Sequence, residues 1–130
     1  MEQTRASKIR ILLADDHLQV QGKLAARLSR ESDFEVVGVT TNSIQTLQEA
    51  QAKQPDLLLM DPMMRDGLGL ATLRQMRANL PSMVVIVLTA FIDTTLNIQF
   101  REMGIKHILV KGISSDLLLS ELRVARRYKS

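Results

Sequence analysis

Short apolar runs alternate with longer amphipathic stretches along the whole chain. After the first run, Val20, Leu24 and Leu28 recur at the spacing of one helix face, and comparable stretches follow the other runs. The alternation predicts a series of β–α units with five strands and five helices. The predicted strands cover about residues 9–14, 34–39, 57–60, 84–88 and 107–110.

Capping and turn residues predict where several helices begin. The first helix is predicted over about residues 17–29. Side-chain oxygens at 42–43 and at 114–115 suit the N-caps of the second and fifth helices. A Gly-rich turn at 66–69 precedes the third helix, and the fourth is predicted over about 93–103.

Helices on both faces of the sheet follow from this connectivity. Consecutive parallel strands need right-handed crossovers, and such units build a doubly wound α/β sheet. Runs 57–60 and 84–88 are nearly all apolar, as expected for strands that are buried on both faces. Periodicity leaves the strand order open, and the flavodoxin-like order 2-1-3-4-5 is the default for five units.

Composition narrows the class of protein. A chain of 130 residues suits one domain with one core, and 45% hydrophobic residues are too many for a disordered chain. The absence of cysteine excludes disulfides and thiolate metal sites. Because the chain shows neither an apolar stretch of about 20 residues nor a signal-peptide pattern, we expect a cytoplasmic protein without membrane contact.

A small excess of basic residues lies towards the C-terminal end. The net charge is +3, and Arg123, Arg126, Arg127 and Lys129 contribute to it. A nucleic-acid patch is one interpretation. The solvated face of a terminal helix is favoured instead, because cations are stabilised near the C-terminal end of the helix dipole.

Four of the predicted strands end in polar residues of a particular kind. Asp15 and Asp16 follow the first strand, Asp61 the third, Thr89 the fourth and Lys111 the fifth. Each alone has an ordinary structural explanation, but all would meet at the carboxyl edge, where open α/β sheets bind ligands. Clustered carboxylates need a proton or a cation, and oxygen ligands suit Mg²⁺. The set predicts a metal and phosphoryl site with Asp61 as nucleophile.

The spacing of these residues resembles that of response-regulator receiver domains over nearly the whole chain. Asp16 and Asp61 are 45 residues apart, Asp61 and Thr89 are 28 apart, and Thr89 and Lys111 are 22 apart. Gly69, eight residues after Asp61, also fits the family pattern. The segments LADDH at 13–17 and EVVG at 35–38 further resemble receivers of the NarL type, which usually carry a DNA-binding helix-turn-helix domain.

The resemblance implies a phosphoacceptor regulator rather than an enzyme. We expect residues 1–130 to form one receiver domain, ordered over about 8–128, with no effector domain in this chain. Its partners would be a histidine kinase or phosphotransfer protein and a second copy in a homodimer, with DNA reached only through the absent domain.

The resemblance also implies a role for each site residue. Asp61 would accept the phosphoryl group, and Thr89 and Lys111 would bind its oxygens. Mg²⁺ would be held by Asp15, Asp16, Asp61 and the backbone carbonyl of Met63. Thr89 and Ile108 would form the switch that transmits the signal.

Five residues depart from the family pattern. Arg65 replaces the usual Pro four residues after the phosphoacceptor, and Gly112 replaces a frequent cis-Pro, so we expect a trans bond there. Ile108 stands where Tyr or Phe is common. Met63 and Phe91 are apolar at positions that influence the lifetime of the phosphoryl group, and we expect slow autodephosphorylation.

Two alternatives and one further residue stay open. The departures motivate a degenerate receiver that acts as a phosphorylation-independent interaction module. A flavin or nucleotide enzyme on the same fold is disfavoured by 3% aromatic residues and by the lack of a Gly-rich phosphate loop after the first strand. His17 has a relay or metal role as one interpretation, and a residue of the first helical turn is preferred.

Overall fold

A five-stranded parallel sheet runs through residues 8–127, the part of the chain that the computed structural model describes. Its strands are β1 (Ile9–Ala14), β2 (Phe34–Thr40), β3 (Leu57–Met60), β4 (Val84–Thr89) and β5 (His107–Val110). The helices are α1 (Leu18–Ser29), α2 (Ser43–Lys53), α3 (Gly69–Asn79), α4 (Thr94–Glu102) and α5 (Ser115–Arg127). The predicted elements are therefore confirmed, with small differences at their ends.

The strands pair in the order β2-β1-β3-β4-β5, which confirms the predicted doubly wound α/β sheet. In the parallel register, Ala14 at the end of β1 lies beside Met60 at the end of β3. Thr89 at the end of β4 lies beside Val110 at the end of β5. The residues that follow these strands therefore lie close together at one edge of the sheet.

Alternate side chains along each strand divide the core into two apolar layers. In β1, Leu12 and Ala14 pack towards α2, α3 and α4, and Ile11 and Leu13 pack towards α1 and α5. Each fully buried side chain of the size of leucine stabilises the fold by about 1.5–3 kcal/mol. Burial on both faces explains why the central strands are apolar throughout.

Side-chain caps connect the loops at the carboxyl edge. Asn42 caps α2 by accepting a 2.8 Å hydrogen bond from the backbone N–H of Gln45. Asp66 accepts hydrogen bonds from the Ser43 hydroxyl at 2.8 Å and from the Leu68 N–H at 2.9 Å. The loop that follows β3 is therefore tied to the start of α2.

Gly69 begins α3 at a place where a side chain does not fit. A Cβ atom there would lie 1.8 Å from the carbonyl oxygen of Pro62. Only glycine allows this close approach between α3 and the loop that follows β3, and the loop is thereby held near the sheet edge.

Two expectations concern membranes and the chain end. Among residues 8–127, no helix is long and apolar enough to cross a bilayer. Residue 128, the predicted end of the ordered part, and Lys129 of the basic group lie outside the described residues.

Candidate functional site

Three carboxylates gather at the carboxyl edge of β1 and β3. Asp61 donates its backbone N–H to the Ala14 carbonyl at 2.9 Å, so its position is fixed by the pairing of the two strands. Asp15 and Asp61 are 5% and 4% exposed, and Asp16 is half-buried. The prediction that residues 45 positions apart meet at this edge is confirmed.

Lys111 lies between two of these carboxylates. Its Nζ donates a 2.7 Å hydrogen bond to Asp61 Oδ2 and lies 2.8 Å from Asp15 Oδ2. Burial by itself lowers the pKa of the Lys111 ammonium, but the contacts with Asp15 and Asp61 outweigh burial and raise the pKa above its ordinary value. Asp15 Oδ2 is buried without a well-aligned hydrogen bond from the described residues, so its partner Lys111 acts on it by charge.

Asp16 is held by a different cation. The backbone N–H of Arg65 donates to Asp16 Oδ2 at 2.7 Å, and the Arg65 Nε lies 3.4 Å from the same oxygen. Burial alone raises the pKa of the Asp16 carboxyl, but the Arg65 hydrogen bonds and charge outweigh it and hold the pKa below its ordinary value. Arg65, which departs from the family pattern, therefore contacts a predicted metal ligand directly.

His17 stands at the start of α1, within one position of its preferred interpretation as a first-turn helix residue, and its ring also belongs to the carboxylate cluster. It is the N-cap position before α1, and its Nδ1 lies 2.9 Å from Asp15 Oδ1 and 3.0 Å from Lys111 Nζ. The same Nδ1 lies 3.6 Å from Asp16 Oδ1 and 3.8 Å from Asp61 Oδ2. In the sequence, the position of His17 directly after Asp15 and Asp16 is the feature that indicates its closeness to the carboxylates.

Thr89 ends β4 and is 8% exposed. Its hydroxyl donates to the Phe91 carbonyl at 3.2 Å, within the loop that precedes α4. Its own carbonyl accepts the Lys111 N–H at 2.7 Å, which joins the ends of β4 and β5. Thr89 is thus connected through the backbone to Lys111, while its hydroxyl bonds the loop.

Ile108 lies in the middle of β5, and its register partner in β4 is Val87. Its side chain is half-buried and packs against the apolar layer that contains Phe100 and Ile105. Unlike Thr89, the other predicted switch residue, which ends β4, Ile108 lies inside its strand.

The remaining departures lie in exposed loops around the cluster. Met63 donates its backbone N–H to Asp61 Oδ1 at 2.8 Å, while the Met63 side chain is 57% exposed. Phe91 is 70% exposed. The bond before Gly112 is trans, as predicted, and Gly112 adopts φ +98°, a conformation that favours glycine.

The donor set fits a divalent cation. One ligand atom from each of Asp15, Asp16, His17 and Asp61 can be chosen so that all lie within 4.8 Å of one another. Three carboxylates and one ammonium leave a formal charge of −2 for a cation to balance. The buried Asp15 Oδ2, without a well-aligned donor, is a further acceptor that faces this cluster.

Three comparisons bear on this site. Residues 11–123 match the model of the family described as the response regulator receiver domain. The response regulator protein VraR of Staphylococcus aureus (strain Mu3) is 31% identical over 122 residues, which cover 94% of this chain and 58% of VraR. The chain therefore spans little more than half the length of this curated relative.

Solved structures share the fold. The signal receiver domain of NarL, described as a response regulator from Mycobacterium tuberculosis, superposes with a TM-score of 0.87 at 20% identity, covering 95% of this chain and 99% of that one. A DNA-binding response regulator of the LuxR family from Staphylococcus aureus superposes with a TM-score of 0.84 at 18% identity, covering 91% and 98%.

Proposed function

Since the chain belongs to the response regulator receiver domain family, we propose that it is a phosphorylation-dependent signalling switch that accepts a phosphoryl group on Asp61. The observation that carries this proposal is the buried Asp61 carboxylate, whose Oδ2 lies 2.7 Å from Lys111 Nζ beside two further carboxylates. A carboxylate so placed has the acceptor, the counter-charge and the neighbouring oxygen ligands that phosphoryl transfer requires.

The transfer step follows from the contacts of Asp61. An oxygen of its carboxylate forms a bond to phosphorus, and the bond between phosphorus and the imidazole nitrogen of a kinase or phosphotransfer protein breaks. The imidazole leaves with its electron pair and takes up a proton. The Met63 N–H, 2.8 Å from Asp61 Oδ1, orients the carboxylate, and Lys111 exchanges its contact with Oδ2 for a phosphoryl oxygen.

Asp15, Asp16, Asp61 and the Met63 carbonyl would hold the divalent cation, for which Mg²⁺ is our proposal. When bound, Mg²⁺ would neutralise charge on the transferring phosphoryl group. Both Arg65 donors lie on Asp16 Oδ2, so they would compete with the cation for the negative charge of this carboxylate while Oδ1 stays open to it.

The signal would leave the site through Thr89. A phosphoryl group adds about −1.5 to −2 charges, and the Thr89 hydroxyl would exchange the Phe91 carbonyl for a phosphoryl oxygen. Because Lys111 N–H and Thr89 carbonyl join the ends of β4 and β5, this movement would act on the neighbouring part of β5. Ile108, half-buried in that strand, would change its packing and bias a two-state equilibrium.

The partners and output are proposed from the family. Receiver domains interact with histidine kinases or phosphotransfer proteins, and we propose the same for this chain. The LuxR-family neighbour is described as DNA-binding, and this chain covers 58% of VraR. We therefore propose that it regulates transcription through a helix-turn-helix domain and that phosphorylation favours a homodimer.

Incubation with Mg²⁺ and acetyl phosphate tests the acceptor. Mass spectrometry should detect one added phosphoryl group on the wild-type chain and none on Asp61→Asn. Asp116→Asn is the matched control, since Asp116 has a side chain that is 93% exposed on α5, away from the cluster, and it should be phosphorylated like the wild type. Equal labelling of Asp61→Asn would reject the assignment.

The Arg65 contact favours a second candidate function, a phosphorylation-independent interaction module. If the Arg65 contacts weaken Asp16 so far that no cation binds, the fold alone acts. Isothermal titration with Mg²⁺ separates the two proposals, because the module should bind neither Mg²⁺ nor a beryllofluoride mimic of the phosphoryl group. The flavin or nucleotide enzyme gains no support from the site.

A further inference from the structure

The Nδ1 atom of His17 lies among the three carboxylates of the cluster. It is within 4 Å of an oxygen of each: 2.9 Å from Asp15, 3.6 Å from Asp16 and 3.8 Å from Asp61. A nitrogen at this point faces the same space that a cation bound by the carboxylates would occupy. The family roles proposed above assign nothing to this nitrogen.

The local backbone fixes His17 in this position. The His17 N–H donates to Asp15 Oδ1 at 2.8 Å, and α1 begins at the next residue. Although His17 is the N-cap residue, its side chain makes no capping hydrogen bond. The imidazole is therefore available to the cluster rather than committed to the helix.

An imidazole ligand changes the relative affinity of a site for different metals. Carboxylate and carbonyl oxygens suit Mg²⁺, whereas an imidazole nitrogen suits ions such as Zn²⁺, Cu²⁺ and Ni²⁺. Around one ion with bonds of about 2.1 Å, ligand atoms lie roughly 3–4 Å apart. The donor atoms of Asp15, Asp16, His17 and Asp61 lie within 4.8 Å of one another and approach this spacing before any adjustment.

We infer that His17 is a further ligand of this divalent cation through Nδ1 and that it strengthens the binding of transition ions such as Zn²⁺ more than the binding of Mg²⁺. The inference rests on the proposed cation site at Asp61 and deepens it. A neutral imidazole adds a ligand without adding charge, so the formal charge of −2 left by three carboxylates and Lys111 remains matched to a divalent ion. The ion would displace the Lys111 contact with His17, now 3.0 Å.

Pulsed electron paramagnetic resonance of the Mn²⁺-loaded wild-type chain tests this ligation directly. Echo modulation by a directly bound imidazole nitrogen is expected in the wild type and should vanish in His17→Ala. His107, the only other histidine of the chain, lies in β5 and is the matched control. His107→Ala should keep the modulation, and a wild-type spectrum without nitrogen coupling overturns the inference.

The affinities of the wild-type chain and of His17→Ala for Zn²⁺ and Mg²⁺ provide a second measurement. Loss of a neighbour that merely orients a ligand costs 10–100-fold in metal affinity, so loss of a ligand itself should weaken Zn²⁺ binding to His17→Ala by about tenfold or more. Mg²⁺ binding should change much less. Equal losses for both ions would reject selectivity through His17.

The result is separable from the proposed function. Phosphorylation of Asp61 with Mg²⁺ and acetyl phosphate is measured on the same wild-type and His17→Ala proteins. Phosphorylation of both without nitrogen coupling in the wild type would remove the His17 inference and leave the switch intact. Nitrogen coupling without phosphorylation of Asp61 would support the His17 ligand and reject the switch.

Discussion

The backbone N–H of Arg65 donates a 2.7 Å hydrogen bond to the Asp16 carboxylate, 49 residues earlier in the chain. Receiver domains usually have proline at this position, and proline has no N–H to donate. The substitution therefore changes more than a surface charge, because it creates a backbone donor on a carboxylate that is expected to bind the cation. The guanidinium adds a weaker contact, with Nε at 3.4 Å and a side chain that is 87% exposed.

Arg65→Pro should tighten Mg²⁺ binding. It removes both donors from Asp16, and a hydrogen bond to a charged group contributes about 1.5–3 kcal/mol, so an affinity gain of about tenfold is expected. Arg65→Ala keeps the N–H and removes only an exposed ion pair of about 0–1 kcal/mol, and should have a smaller effect. Isothermal titration measures both, and weaker binding by Arg65→Pro would contradict the competition between Arg65 and the cation.

Met63→Asn should shorten the lifetime of the phosphoryl group on Asp61. The exposed Met63 and Phe91 side chains offer no hydrogen bond to an attacking water, and we therefore expect the wild type to keep its phosphoryl group for much longer than seconds. Asparagine would orient that water. Phosphate release after removal of the phosphodonor measures the rate, with Leu117→Asn on α5 as the control, and loss within seconds by the wild type would contradict the expectation.

Lys111→Met should destabilise the protein at neutral pH. It leaves Asp15 and Asp61 buried without the ammonium, and breaking a buried pair in this way costs about 3–5 kcal/mol. Urea unfolding at neutral pH measures the loss of stability. Lys23→Met, an exposed change on α1, is the control and should leave the stability unchanged.

Arg123 should contribute stability that is lost in acid. Its guanidinium hydrogen-bonds Asp33 through two donors, at 2.7 and 2.9 Å, and lies 5.4 Å from the Phe34 ring centroid. The hydrogen bonds from Arg123 outweigh burial and lower the pKa of Asp33. Because the folded pKa is depressed, the contribution is present above the unfolded value of about 3.9 and disappears as the pH falls through the folded pKa.

Arg123→Ala should therefore remove part of the pH dependence below about pH 4. The Asp33 side chain is 44% exposed, so screening limits the loss at neutral pH to about 1 kcal/mol. Thermal unfolding at several pH values measures it. Arg126→Ala is the control, because Arg126 only approaches Asp56 at 3.9 Å, and an equal acid effect in both variants would contradict a specific role for Arg123.

The architecture and the place of the candidate site at the sheet edge could be predicted because they depend on local patterns and on one general property of parallel sheets. The period of the apolar residues identified each strand and helix, and Asp61, Thr89 and Lys111 were recognised because each comes directly after a strand or ends it. The strand order was only a default, since periodicity carries no information on which strands pair.

The contacts of the site could not be predicted in the same way. Arg65 could be recognised as a departure, but its donation to Asp16 depends on how the loop after β3 folds back towards β1. The spacing of the apolar residues places His17 at the start of α1, but only the turn at Asp15 shows that its imidazole lies among the carboxylates.

The sequence by itself therefore determined the five β–α units, the acidic edge and the family pattern, because these depend on residue type, period and spacing. Only the tertiary structure decided which cation each carboxylate meets. Lys111 contacts Asp15 and Asp61, and Arg65 contacts Asp16. The His17 nitrogen lies among all three carboxylates. The physical reason is distance: electrostatic and hydrogen-bond energies depend on ångström-scale positions that β1, β3 and β5 set jointly when they pack into one sheet.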